Sequence, residues 1–171
     1  QFVATERSFD SKIIRAHAEQ FPHPKGWSKE SDNDLVDHRR QPMAELEPVE
    51  RIGSFAEMVS GYTRQQAIIE ASRCVQCGMC HDACPTRMNA PEYIRAIWQD
   101  DLEEAVRQIY RTNPFAHTCG RVCTHRCEDA CSVGHRGEPV AIRWLKRYAM
   151  DNVAPERIRA IVTEGMLNDK S

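Results

Sequence analysis

The chain has 171 residues, a formal net charge of −2 and 41% hydrophobic residues, which suits one domain with an appended arm. The charge gives no argument for binding nucleic acid or a membrane surface, and no run approaches the roughly 18 apolar residues of a membrane-spanning helix. Because the N-terminus also lacks a secretory apolar run, we expect a cytoplasmic protein without membrane insertion. Eight cysteines are too few for a small disulfide scaffold, and in a reducing compartment clustered thiols are more often metal ligands.

Residues 1–50 contain no cysteine and are predicted to form an extended N-terminal arm. Several prolines interrupt this segment, and one short helix is expected near residues 11–20 with Ser11 as its N-cap. We expect the arm to become ordered by contacting a partner, and a flexible tail is the alternative.

Helix signals recur from Ile52 onward. Thr63 and Gln66 form the pattern of a capping box, and Asn89 and Asp101 stand where helix N-caps are expected. No alternating strand pattern of useful length appears, so we predict a mostly α fold, a helical bundle-like domain. The predicted helices are 64–73, 90–99, 102–111, 139–150 and 155–166, the last lying in a C-terminal helix or linker at 152–171.

The first cysteine run carries a specific metal-binding motif. Residues 74–85 read Cys-Val-Gln-Cys-Gly-Met-Cys-His-Asp-Ala-Cys-Pro, the C-x2-C-x2-C-x3-C-P pattern that supplies thiolates to [4Fe–4S] clusters. Three thiolates two residues apart can hold three corners of one cluster when the chain curls tightly, and Gly78 is expected to relieve that curl. The fourth cysteine, Cys84, is followed by a proline and points to a different cluster.

The second run places cysteines at 119, 123, 127 and 131. In one straight helix the first and last would lie about 18 Å apart, too far for a cluster only several ångströms across. The backbone must therefore break, with Gly120 as the expected place, or the run must serve two clusters. We expect both.

Eight thiolates at four per cluster account for two [4Fe–4S] clusters with no cysteine left over. By analogy with the ligand exchange of two-cluster ferredoxins, each triplet takes its fourth ligand from the other run. The predicted ligands are Cys74, Cys77, Cys80 and Cys131 for cluster 1, and Cys84, Cys119, Cys123 and Cys127 for cluster 2. Residues 51–151 are thus predicted to form a helical two-cluster domain.

Charge is concentrated near the second run, because residues 111–151 carry seven Lys and Arg against four Asp and Glu. Such cations could raise the potentials of anionic clusters or form a solvated, partner-docking face. The candidates are Arg73, Arg121, Arg126, Arg143, Lys146 and Arg147. The histidines at 81, 117, 125 and 135 are expected beside the ligands or on the surface.

The residues match a known family. The stretch Gln66-Ala67-Ile68-Ile69-Glu70-Ala71-Ser72-Arg73-Cys74 resembles the start of the helical two-cluster domain of the glutamate synthase small subunit and dihydropyrimidine dehydrogenase. Asn113-Pro114-Phe115, Cys119-Gly120-Arg121-Val122-Cys123 and Pro139-Val140-Ala141-Ile142 continue the resemblance over roughly residues 50–151. It implies two [4Fe–4S] clusters, with FAD and NAD(P)H on a flavoprotein partner or a downstream domain, and a further redox subunit.

Two departures from the family stand out. Lys146 occupies the position at which dihydropyrimidine dehydrogenase has a glutamine that ligates a cluster, and an ammonium group cannot ligate iron. This favours Cys119 as the fourth ligand of cluster 2. None of the eight glycines forms a G-x-G-x-x-G phosphate loop, so we expect the flavin-binding half on a separate subunit or beyond Ser171.

The sequence therefore predicts an electron-transfer module of a flavin-linked oxidoreductase, with no catalytic residues of its own. A zinc-binding interaction module is the first alternative, although zinc sites usually use cysteine pairs separated by a dozen or more residues. An iron–sulfur enzyme is the second, and it would need an iron without a cysteine ligand.

Overall fold

A computed structural model describes residues 39–135 and 137–168 of the chain. These residues form helices and one isolated antiparallel bridge, between Glu45 and Val59, and none of their helices is both long and apolar enough to cross a bilayer. A mostly helical domain is thus confirmed, whereas the predicted helix at 11–20 lies outside the described residues. In chain order the helices are α1 (Pro48–Ile52), α2 (Arg64–Ser72), α3 (Met79–Ala83), α4 (Ala90–Trp98), α5 (Leu102–Tyr110), α6 (Ala116–Val122), α7 (Arg126–Asp129), a 3₁₀ turn (Ser132–His135), α8 (Ile142–Asp151) and α9 (Pro155–Asn168).

The helix starts follow the capping chemistry of the sequence with one exception. The Thr63 hydroxyl accepts the Gln66 N–H at 3.3 Å while Gln66 Oε1 accepts the Thr63 N–H at 3.0 Å, which confirms the capping box. Asp101 caps α5 by accepting the Glu104 N–H at 3.0 Å. The Asn89 side chain makes no capping bond, and α4 begins instead with a proline in its first turn.

Helix α8 begins at Ile142, three residues later than predicted. The backbone before it is engaged elsewhere: the Pro139 carbonyl accepts from Arg40 Nε at 2.5 Å, and the Ala141 N–H donates to Glu70 Oε1 at 2.8 Å. These bonds hold residues 139–141 as a connection between buried groups rather than as a helical turn.

Helix α4 lies at the centre of the core and contacts α2, α5 and α8. Its residues Tyr93, Ile94, Ile97 and Trp98 are buried at helical spacing, and each such side chain contributes about 1.5–3 kcal/mol by leaving water. Helix α9 packs on the far side of α5 through Ile158 and Ile161. This packing fixes α4 and α8 as walls against which the cysteine-bearing segments rest.

The described part of the predicted arm, residues 39–50, packs against the helical domain. The Gln41 N–H donates to Glu70 Oε2 at 2.7 Å, and the Tyr62 hydroxyl donates to the Gln41 carbonyl at 3.1 Å. Helix α1 runs across the predicted boundary at residue 50. A partner-contacting role for residues 1–50 stays a prediction.

Candidate metal centres

The first cysteine run curls through two left-handed residues. After α2 the chain leaves its helix at Arg73, and Gln76 and Gly78 take positive φ angles of 58° and 84° before α3 begins. The curl predicted at Gly78 is therefore present. A glycine adopts this conformation without strain, whereas another residue would lose about 1–2 kcal/mol.

This curl directs three thiols of the first run to one recess. Cys74, Cys77, Cys80 and Cys131 line it together, and its volume is about 310 Å³ counting the open mouth. Ser132, 55 residues after Cys77, places its hydroxyl 2.9 Å from Cys77 Sγ and donates to it. The remaining walls are mainly apolar, formed by Val75, Pro91, Ile94, Val133, Val140 and Ile142.

The thiols of the recess sit in unequal environments. Burial raises the pKa of Cys74 to about 11 and that of Cys80 to about 12, and neighbouring thiolates reinforce both shifts. At Cys77 burial would also raise the pKa, but hydrogen bonds from Ser132 and from the Met79 N–H outweigh it and lower the pKa. A bound metal must displace the protons of the buried thiols, and its positive charge favours that release.

The second run is broken, but not at Gly120. Helix α6 continues through Gly120 to Val122, Cys123 is extended, and His125 takes a left-handed φ of 43° before α7 begins. The prediction of a break is thus confirmed and its predicted place is wrong. Gly120 serves a close helix contact instead, because a Cβ there would lie 3.3 Å from the Cα of Arg147 on α8.

Two of the thiols predicted for cluster 2, Cys84 and Cys123, act electrostatically on a third, Cys127. Burial raises the pKa of Cys127 to about 12, and Glu128 and the thiolates of Cys123, Cys80 and Cys84 add to the shift. Cys80, a predicted ligand of cluster 1, also contributes, so it lies near Cys127. Cys119 lies one helical turn before Cys123 on α6, and its Sγ is 3.9 Å from Asn113 Oδ1.

Two buried nitrogens beside Cys123 lack a hydrogen-bond partner within the described residues: His125 Nδ1 and Arg143 Nε. The His125 backbone N–H donates to Cys123 Sγ at 3.3 Å, and Arg143 Nη1 donates to the Cys123 carbonyl at 3.1 Å. A buried guanidinium N–H without an acceptor is costly. Arg143 Nε therefore fits a sulfur-rich anionic group beside Cys123, whereas His125 Nδ1 lies 3.7 Å from Glu128 Oε2.

All eight cysteines are free thiols, and four of them line one recess. Across 39–135 and 137–168 no three His, Cys, Asp or Glu side chains are grouped so that they could hold one metal ion. A [4Fe–4S] cluster takes its thiolates at separate iron corners, so thiols spread around a recess are compatible with that group.

Two buried carboxylates that the sequence analysis did not single out fix both cysteine runs. Glu70 pairs with Arg73, the residue before Cys74, at 2.6 Å. Glu128, the residue after Cys127, accepts from Arg40 Nη2 at 2.6 Å and from the Arg143 N–H at 2.9 Å. One signal could have revealed Glu70: an acidic residue on the apolar face of a predicted helix, three positions before an arginine.

A third overlooked residue, Tyr93, lies near thiols of both predicted ligand sets. It is buried, its hydroxyl donates to the Ile142 carbonyl at 3.2 Å, and its pKa is raised well above the usual value by burial and then by Cys127, Cys80 and Cys84. In the predicted helix at 90–99, Tyr93, Ile94, Ile97 and Trp98 share one apolar face. This spacing predicts a core position for Tyr93 but not its proximity to the thiols.

Comparisons with known proteins agree with this site. A family profile described as "dihydropyrimidine dehydrogenase domain II, 4Fe-4S cluster" matches residues 51–158. Similar proteins include "Glutamate synthase [NADPH] small chain" of Azospirillum brasilense, 35% identical over 120 residues, and "NADP(+)-dependent formate dehydrogenase subunit beta" of Moorella thermoacetica, 42% identical over 72 residues. "Glutamate synthase [NADH]" of Saccharomyces cerevisiae is 26% identical over 151 residues.

The three alignments cover 67%, 42% and 86% of this chain, but only 25%, 10% and 7% of the respective relatives. The chain therefore corresponds to a small part of each of these proteins. Since the family profile covers more than half of the chain, the chain belongs to the dihydropyrimidine dehydrogenase domain II family and is a 4Fe–4S electron-transfer domain of oxidoreductases.

Proposed function

We propose that the chain binds two [4Fe–4S] clusters and relays electrons between an FAD- and NAD(P)H-binding flavoprotein and another redox centre of an oxidoreductase complex. The observation that carries the proposal is the meeting of Cys131 with Cys74, Cys77 and Cys80 around one recess. The names of the relatives support it, since two are glutamate synthases and one is an NADP(+)-dependent dehydrogenase subunit. In the proposal, the flavin and substrate sites belong to other domains or subunits.

A [4Fe–4S] cluster supplies one-electron transfer when it is bound. The protein's part is to hold the thiolates, to donate hydrogen bonds to their sulfurs and to keep water away. Ser132 and the Met79 N–H donate to Cys77, and the Gln76 amide donates to Cys74 Sγ at 3.4 Å. Such donors stabilise negative charge on sulfur and thereby tune the potential.

The proposed ligand sets make each cluster depend on both cysteine runs. Cys80 of proposed cluster 1 lies near enough to Cys127 of proposed cluster 2 to raise the pKa of its thiol, as Cys84 also does. This proximity supports a placement of the two proposed clusters side by side, an arrangement that suits sequential one-electron transfer through the domain. Tyr93 would lie near both of them.

Metal analysis of the anaerobically purified 171-residue chain tests the proposal. We expect about eight iron and eight sulfide per chain, with broad visible absorbance, as two clusters require. Cys131→Ser and Cys119→Ser should each remove roughly half of the iron and different signals in electron paramagnetic resonance (EPR) spectra. Thr118→Ser, an exposed change beside Cys119, is the matched control and should leave both clusters in place.

A colourless preparation that contains zinc would refute the cluster proposal in favour of a zinc module. The relay itself is tested by purifying the chain from its natural source without denaturation. An FAD-containing polypeptide should co-purify, and NAD(P)H should then bleach the visible absorbance. If that complex contains no flavin, the proposed electron donor is wrong.

A further inference from the structure

We infer that Lys146 is the internal counter-charge of cluster 2, and that its ammonium group raises the reduction potential of this cluster and not that of cluster 1. The inference rests on the proposed ligand sets. It concerns a residue of this chain that neither the family profile nor the relatives' names assign a role.

Lys146 is more deeply buried than the other cations near the cysteines that have no carboxylate partner among the described residues, Arg126 and Arg143. Its residue is only 6% exposed, yet within the described part of the chain it has no carboxylate at ion-pair distance. Three neighbouring arginines form ion pairs: Arg73 with Glu70, and both Arg121 and Arg147 with Glu57 and Asp151. Of the other two, Arg143 stacks on Trp144 and Arg126 is exposed.

A buried ammonium without a counter-ion is expensive, since moving a charge out of water costs several kcal/mol unless an opposite charge compensates. No carboxylate in the described residues compensates Lys146. An anionic cluster held by four thiolates would do so, which accounts for a lone lysine at this depth.

The position of Lys146 on α8 directs it to the proposed cluster 2 site. Its neighbour Arg147 packs at 3.3 Å against Gly120, which lies between Cys119 and Cys123 on α6. Lys146 itself acts on Cys84. Burial alone would raise the pKa of the Cys84 thiol, but hydrogen bonds and the positive charge of Lys146 together lower it. Helix α8, which carries Lys146, therefore packs on the helix that bears Cys119 and has Cys123 as its C-cap, and Lys146 itself lies near Cys84.

The recess of cluster 1 has a different character. Thiols, apolar side chains and Ser132 line it, and the cation beside its first ligand, Arg73, is neutralised by Glu70 at 2.6 Å. Reduction adds one electron, and so one negative charge, to whichever cluster receives it. A nearby unpaired cation stabilises the reduced form more than the oxidised form, so Lys146 should act mainly on cluster 2.

The test is a redox titration of the full chain with its clusters, followed by EPR. In Lys146→Met one of the two midpoint potentials should shift to a more negative value while the other stays in place. Lys146→Arg keeps the charge and should stay close to the wild type. Arg111→Met, which removes an exposed cation at the end of α5, is the matched control and should shift neither potential.

Ser132→Ala identifies the signals, since Ser132 touches Cys77 of cluster 1, and it should shift the potential that Lys146→Met leaves unchanged. The inference is overturned if Lys146→Met retains both clusters and moves neither potential, or moves both equally. If Lys146→Met and Lys146→Gln lose iron, the iron content of Lys146→Arg decides between two explanations. Iron retained by Lys146→Arg supports a requirement for positive charge at this position. Iron lost from Lys146→Arg as well also overturns the inference. A wild-type chain without two iron–sulfur clusters contradicts the proposed function instead, and metal analysis shows this before any titration.

Discussion

The contact between Gly120 and Arg147 predicts that an ordinarily favourable substitution will be harmful. Alanine in a helix interior is favoured over glycine by about 0.8–1.0 kcal/mol. At position 120 the added methyl would lie 3.3 Å from both Cα and Cβ of Arg147 and 3.6 Å from its backbone nitrogen. Overpacking of this kind costs about 1–3 kcal/mol. Gly120→Ala should therefore lower the free energy of unfolding by about 1 kcal/mol net.

Gly165→Ala is the matched control, since position 165 also lies in a helix but has no atom within 4 Å of the added methyl. Gly165→Ala should raise the free energy of unfolding by up to about 1 kcal/mol. The unfolding free energies of the two variants should then differ by about 2 kcal/mol. The assay is urea unfolding of the cluster-loaded chain without oxygen, followed by far-ultraviolet circular dichroism. Unfolding of a metal-binding chain is not strictly two-state, so midpoints of variants are compared under identical conditions. Equal stabilisation by both substitutions would refute the close contact.

Three further predictions concern buried groups and the metal. Glu70→Gln should lower the unfolding free energy by about 3–5 kcal/mol, because it removes the buried carboxylate that pairs with Arg73 at 2.6 Å; a change below about 1 kcal/mol would contradict this. Tyr93→Phe should cost about 1 kcal/mol through its lost bond to Ile142, whereas the partly exposed Tyr110→Phe should be nearly neutral in the same urea assay. Removal of iron by chelation and oxidation should abolish much of the helical circular dichroism signal, and an unchanged spectrum would show that the fold is independent of metal.

The longer helices could be predicted from the sequence because local signals decide them. Thr63 and Gln66 cap α2, Asp101 caps α5, and the apolar spacing of α4 survives in its packed face. The short helices α1, α3, α6 and α7 span only four to seven residues. Fewer than two turns give too few positions for a periodicity to appear, so tertiary contacts decide them.

Gly120 shows why the details of the site could not be predicted. A glycine between two cysteines can mean a backbone that needs a positive φ or a backbone that another helix approaches closely. Gly78 is the first case and Gly120 the second, and only the partner α8 distinguishes them. The actual break uses His125 in a left-handed conformation, which residue type alone does not indicate.

The recess also constrains how the protein can be made. Its first thiols lie at 74–80, but its walls include Val140 and Ile142, so a ribosome must synthesise the chain through position 142 before this site exists. During that interval the thiols at 74–80 have left the ribosome without Cys131 and without the walls that would shield them from oxidants. Delivery of iron to this site is therefore a late event in biosynthesis, and nascent chains arrested before Cys131 should retain none of it there.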